Sequence, residues 1–136
     1  MYVVAFDYGK SYIGVALTDL SINIPFPIEN IYCKKSIPNW LALDKISEDW
    51  KPAYYVIGFP YSCRHKKIAK KILFFKKNVE KRYSKQTYLV NEDFSTYESF
   101  YKLRNLKNNR RPKRFDNNSA ALILESWLLH GHIHLK

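Results

Sequence analysis

The sequence predicts one α/β domain, built on a mixed five-stranded sheet in which an antiparallel three-stranded meander is extended by parallel strands, with helices on both faces. Three observations carry this prediction. Two short β-branched and aromatic runs, MYVVAFD and YIGVALTD, are joined by a tight turn at Gly9 and Lys10. A third run, YYVIGF at 54–59, is apolar throughout, as suits a central parallel strand buried on both faces. The later strands alternate with helical patterns in the order β-β-β-α-β-α-β-α-α, which calls for parallel crossovers.

The elements follow in order. After the opening hairpin, PIENIYCK (27–34) completes the meander. PNWLALDKISEDW places Trp40, Leu43, Ile46 and Trp50 at helical spacing, and Pro52 stops that helix. Beyond YYVIGF, KIAKKILFFKKNVEKRY carries Ile68, Ile72, Phe75, Val79 and Tyr83 on one stripe and lysines on the other. QTYLVNE (86–92) reads as a strand. STYESFYKLRNL begins a helix in which Ser95 and Glu98 have capping-box spacing. NLKNNRRPKRFD is a polar loop, and DNNSAALILESWLLHG is a last helix stopped at Gly131.

At 136 residues the chain is sized for a single domain, 1–136, with 130–136 expected to be a flexible tail. Cys33 and Cys63 form no CxxC, so neither a disulfide framework nor a cysteine zinc site is expected, and a reduced cytoplasmic compartment is. MYVVAFD has no basic leader region and KKILFFKK is too short and too charged to span a bilayer, which argues against secretion and a membrane. The net charge of +11 is concentrated: residues 64–85 hold ten lysines and arginines and residues 102–114 hold seven, 17 of the 23 in the chain. Clustered cations among many tyrosines suit a polyanion, through counterion release at phosphates and stacking on bases. The competing reading is a solvated helix face.

Three carboxylates converge in principle on one sheet edge. Asp7 ends the first strand, Glu92 ends TYLVNE, and Asp116 opens the last helix, while parallel sheets gather functional groups at the carboxyl ends of their strands. Like charges resist ionising together, so such a cluster suits hard divalent cations, and one or two of these can activate water against a phosphodiester. Each acid also has a purely structural reading. Asp7 can be a turn residue, Asp116 a helix cap, Glu98 the capping partner of Ser95 and Asp19 a strand-ending turn residue. The HGHIH end carries imidazoles that suit a metal, but it lies beyond the last helix and reads as a frayed tail.

FDYGKSYIGVALTD, YYVIGFP, LVNEDFSTYES and FDNNSAALILESWLL, in this order and spacing, resemble the four motifs of the YqgF family, whose members carry the names Holliday-junction resolvase and pre-16S rRNA nuclease. The likeness runs from Met1 to about Leu129. It implies a ribonuclease H-like fold and a nuclease dependent on magnesium or manganese that trims the 5′ end of the small-subunit rRNA precursor. It implies that Asp7, Glu92 and Asp116 are the catalytic metal ligands; beside this, Asp93 and Glu98 are candidate accessory acids read from the chain itself. In that setting Gly9 turns the chain beside a metal-bound phosphate, and Gly14 permits close approach. Nucleic acid is expected on Gly9, Lys10, Tyr12, Arg64, Lys66, Lys67, Lys70, Arg110, Arg111, Lys113 and Arg114. Where the family usually has Lys-Arg after the glycine turn this chain has Ser11 and Tyr12, and where it has Asp-Glu-Arg this chain has Asn91, Glu92 and Asp93. YSCRHKK replaces the family's glycine-containing loop.

Competing functions are a junction resolvase and a non-catalytic rRNA-binding assembly factor that keeps the fold. A nucleotide-binding protein of the actin and sugar-kinase type shares the D-x-G hairpin but needs two lobes. No dimer seam is evident, so a monomer acting on single-stranded rRNA is favoured, with Tyr12, Tyr61, Tyr97 and Tyr101 available for stacking.

Overall fold

The alternation of side chains along the first strand defines the two sides of the molecule. In β1 (Tyr2–Tyr8), Val4 and Phe6 point into one core and Val3 and Ala5 into the other, all buried. The computed structural model describes residues 1–60, 66–91 and 119–130. Within these, β1 is followed by β2 (Tyr12–Asp19), β3 (Phe26–Lys34), β4 (Ile37–Pro38), α1 (Trp40–Trp50), β5 (Tyr54–Phe59), α2 (Lys66–Tyr83), β6 (Thr87–Asn91) and α3 (Ser119–His130).

The sheet runs β4-β3-β2-β1-β5-β6. β1 to β4 pair antiparallel, whereas β1, β5 and β6 are mutually parallel. This is the expected meander with its parallel extension, and β5 is indeed buried on both faces. The sheet has six strands rather than five. The extra one, β4, is a two-residue pairing of Ile37 and Pro38 with Lys34 and Cys33, reached through a turn in which Lys35 (φ 52°) and Ser36 (φ 64°) are both left-handed. Such a turn normally announces itself with Asn or Gly, and here neither is present.

The two faces are packed differently. On one side, α1 and α2 bury Leu43, Ile46, Ile72, Phe75 and Val79 against Phe6, Tyr55 and Ile57. The large rings interlock there: Phe75 meets Phe6, Tyr8 and Trp40 with centroids 5.4, 5.2 and 5.7 Å away. On the other side the sheet offers the small residues Ala5, Gly14 and Ala16, and α3 lies against them through Ala120 and Ala121. Helices therefore cover both faces. The predicted segments STYESFYKLRNL and NLKNNRRPKRFD, and the stop at Gly131, lie outside the described residues.

Caps fix α1 where the sequence suggested. The Asn39 side chain accepts from the Ala42 amide at 3.3 Å, and Lys51 adopts a left-handed cap (φ 45°) directly before Pro52. Asp19 proves to be a turn residue, accepting from the Ser21 amide (3.1 Å) and hydroxyl (2.9 Å).

α1 is tied to the end of α2 by one carboxylate. Arg82 donates Nε and Nη2 to the two oxygens of Asp44, each at 2.7 Å, and the Tyr83 hydroxyl donates to the same carboxylate at 2.8 Å. The guanidinium also lies over the Trp40 ring, 5.2 Å from its centroid. The Arg82 hydrogen bonds, with help from Tyr83, hold the Asp44 carboxyl below its usual range. A depressed folded-state pKa adds stability that is present above the unfolded-state value and is lost as pH falls through the folded one. Asp44→Asn is therefore expected to lower the melting temperature at pH 7 modestly, with the wild-type and variant curves converging in strong acid. A constant difference from pH 7 to pH 2 would assign the effect to packing.

Candidate active site

The three parallel strands end at one edge of the sheet, and this edge collects the chemistry. Asp7 is the next-to-last residue of β1, Phe59 the last of β5 and Asn91 the last of β6, with Phe59 and Asn91 paired in register. Asp7 is partly exposed, follows the fully buried run Val3–Phe6, and points to the α3 side. Glu92 follows Asn91 in sequence and Asp116 precedes Ser119 by three positions. Both carboxylates, together with Asp93, Glu98, Arg64, Arg110, Arg111, Lys113 and Arg114, lie outside the described residues. Among the described residues no three His, Cys, Asp or Glu side chains gather closely enough to hold a metal ion.

Around Asp7 the sheet forms a row. Asp7 pairs with Gly14, and Gly14 with Asn30, so one rung crosses β1, β2 and β3 on the α3 side. A Cβ placed on Gly14 would stand 3.5 Å from Asn30 Oδ1, 3.7 Å from Asp7 Cβ and 3.8 Å from Ala120 Cβ. Gly14 is thus the floor shared by a carboxylate, an amide oxygen and the first turn of α3. Asn30 Oδ1 is buried and accepts no hydrogen bond among the described residues. A buried oxygen beside a carboxylate is an electron-rich corner that a cation satisfies and an anion does not. A carboxylate from Asp7 and an amide oxygen from Asn30 are ligands that a hard divalent ion accepts, and the nominated Glu92 and Asp116 would add two further carboxylates.

Gly9 has a different task. A Cβ there would approach the Tyr12 carbonyl oxygen to 2.8 Å, closer than a side chain tolerates, so the turn from Asp7 into β2 closes tightly only with glycine. β3 locks this turn from the far side, where the Cys33 amide donates to the Ser11 carbonyl at 2.8 Å. The two glycines predict opposite outcomes. Gly9→Ala must displace the turn and is expected to destabilise the domain. Gly14→Ala makes only ordinary contacts, so it is expected to melt like wild type, yet its methyl fills the floor beneath Asp7 and Asn30 and is expected to cost roughly tenfold to a hundredfold in turnover. Thermal melts read beside initial rates separate the two, and a Gly14→Ala protein of full activity would remove Asn30 and Gly14 from the site.

Cations surround this edge. Lys10 is exposed in the β1–β2 turn, and Lys66, Lys67 and Lys70 are exposed on the first turns of α2, which begins just beyond the carboxyl end of β5. Two other cations of the same helix are engaged in the fold: Lys76 pairs with Glu80 at 3.1 Å and Arg82 with Asp44. Tyr12, nominated from the sequence, is exposed on the α3 side, two positions beyond the Gly14 rung. Asn30 and Tyr32 were not nominated, because only the β2–β3 register places them beside Gly14 and Tyr12.

Comparisons with known proteins show what the whole chain is similar to. The family model described as "RuvX: Holliday junction resolvase" matches residues 1–130. Proteins of Francisella tularensis subsp. holarctica (strain LVS) and Francisella tularensis subsp. novicida (strain U112), both named "Putative pre-16S rRNA nuclease", are 33% identical over 129 residues, covering 93% of this chain and 95% of theirs. Among solved structures, "T. thermophilus RuvC in complex with Holliday junction substrate" superposes with a TM-score of 0.56 at 14% identity, over 96% of this chain and 92% of that one. The "Thermus thermophilus RuvC structure" gives 0.54 at 13% identity, over 96% and 93%. At this identity the superpositions speak to fold alone, and they agree with a ribonuclease H-like α/β architecture.

Proposed function

The chain belongs to the RuvX family, a family of nucleases, and from this premise we propose that it cleaves the 5′ leader of pre-16S rRNA with the help of magnesium or manganese held by Asp7, Glu92 and Asp116. Phosphodiester hydrolysis on nucleic acid is the activity that family membership gives, and no described helix is long and apolar enough to cross a membrane. The observation that carries the metal-dependent reading is the Asp7–Gly14–Asn30 rung, a carboxylate and a buried oxygen unpartnered among the described residues, on either side of Gly14 at the edge where the parallel strands end.

When bound, one or two divalent ions supply Lewis acidity and a water of lowered pKa. The protein supplies the rest. Asp7 is held on a strand buried on both sides, so its carboxylate is fixed before substrate arrives. Gly9 lets the turn after Asp7 close against the Tyr12 carbonyl, and Gly14 lets the first turn of α3 pack through Ala120 beside Asp7. Lys10, Lys66, Lys67 and Lys70 flank that approach with positive charge, so the polyanion is drawn to the edge where hydrolysis takes place. Asp93 and Glu98 are accessory acids in this scheme, and Arg64, Arg110, Arg111, Lys113 and Arg114 further phosphate contacts. A pre-rRNA substrate places the enzyme in the cytoplasm, and a single strand requires only a monomer.

The test is a cleavage assay on labelled pre-16S leader and on a four-way junction, side by side, in magnesium, in manganese and in chelator. Cleavage of the leader alone, lost in chelator, is expected. Paired, symmetric cuts in the junction by a stable dimer would favour the second reading, junction resolution, which the description of the family model supports. Binding of leader without cleavage in either metal would leave an assembly factor.

A further inference from the structure

Two residues beyond Gly14 and Asn30 along their strands, the α3 side of the sheet changes character. Tyr12 of β2 pairs with Tyr32 of β3, and their rings meet edge to face with centroids 6.4 Å apart and planes at 63°. The same face further along β2 is buried at Gly14, Ala16 and Thr18, yet Tyr12 is 38% exposed and Tyr32 75% exposed. Two residues of strand separate Tyr32 from Asn30, about 7 Å at the rise of an extended chain. Exposed lysines border the pair in sequence: Lys10 in the turn before Tyr12, and Lys34 and Lys35 two and three residues after Tyr32. The Lys35–Ser36 turn and the β4 pairing of Lys34 hold that end of β3 in place.

An aromatic ring buttressed by a second ring, exposed on a face and ringed by cations, is poorly explained by packing, because Tyr32 hides little of its surface. It is well matched to a nucleotide whose base is unpaired. Such a base offers a free π-face to the ring, while its phosphates meet the lysines. A base inside a duplex is already stacked on both sides and cannot use the ring. We infer that Tyr32, supported by Tyr12, is a stacking subsite for an unpaired nucleobase near the Asp7 rung, one that would favour single-stranded over duplex nucleic acid. This deepens the nuclease reading and rests on it for the identity of the ligand as nucleic acid.

The experiment uses the full chain in chelator, so that nothing is cut, with a fluorescein-labelled twelve-nucleotide RNA of mixed sequence as probe, free and annealed to its complement. Tyr32→Ala is expected to weaken binding of the free strand roughly tenfold and to change binding of the duplex by less than about twofold. Tyr32→Trp is expected to restore the free-strand affinity. Stacking releases no counterions, so Tyr32→Ala should leave the salt slope on the free strand unchanged, whereas Lys34→Ala should lower it by about 0.7. Since Tyr32 is largely exposed, the alanine variant is expected to melt like wild type, and the duplex measurement controls for any loss of fold. Equal loss on both probes, no loss on either, or a wild type that binds neither would each overturn the subsite. The nuclease reading fails separately: leader cleavage with no Tyr32 effect sinks the subsite alone, and a Tyr32 effect on binding without cleavage in either metal sinks the nuclease alone.

Discussion

Asp7→Asn is expected to reduce leader cleavage by about a thousandfold or more, the scale of losing one preorganised electrostatic partner of a reacting phosphate. The side chain keeps its size and loses its charge, on a partly exposed position at the end of a strand whose own burial comes from Val3 to Phe6. On the proposed site the variant is expected to stay folded, since a carboxamide of the same size removes one of the charges that would repel when no ion is bound. Binding of single-stranded RNA in chelator is expected to persist. Glu92→Gln and Asp116→Asn should each match the loss, and combining any two should add little, since groups acting as one unit are not additive. Retained cleavage by Asp7→Asn would move the active centre elsewhere, and an unfolded variant would make Asp7 a structural residue.

Phe75→Ala carries the largest expected effect on stability. The ring is 2% exposed and contacts Phe6, Tyr8 and Trp40, so its removal leaves a cavity that none of these rigid rings can collapse into. A loss of about 3–5 kcal/mol follows, a large share of the roughly 5–15 kcal/mol that holds a domain together. The melting temperature should fall by roughly 10 °C or more. Because Phe75 lies on the α2 side and Asp7 points to the α3 side, the folded fraction should cleave at the wild-type rate in the cold. A loss below about 1 kcal/mol would mean that the aromatic cluster is not the main core.

The fold was legible where the chemistry is local. YYVIGF became β5 without change of bounds, α1 ends at Trp50 with Pro52 just beyond, and the stripe Ile72, Phe75, Val79 is the buried face of α2. β4 was not legible, because two residues carry no periodicity and the left-handed Lys35 and Ser36 lack the residues that usually mark such a turn. β3 begins one residue earlier than expected, at Phe26, and its alternation is broken by the register shift opposite Val15 and Ala16, so that Ile28 and Ile31 both pack into one core. For the candidate site, Asp7 was legible as a candidate because a carboxylate ending an apolar strand is visible along the chain. Asn30 and Tyr32 were not, because their significance lies across strands, in which residue of β2 each one faces.

The brevity of β4 has a consequence for how the protein behaves when concentrated. β4 covers β3 only at Cys33 and Lys34, and among the described residues no other strand covers the outer edge from Phe26 to Tyr32. Ile22, Ile24, Phe26 and Ile37 are exposed around it. An open apolar edge is a template on which further chains could add and grow into fibrous aggregates. Pro27 interrupts that template by withholding an amide, Pro38 does the same on β4, and Glu29, Lys34 and Lys35 place charge along it. Solubility at this edge is thus a property of individual gatekeeper residues rather than of shielding, and replacing Pro27 by a β-branched residue would turn a dispersed protein into one prone to precipitate.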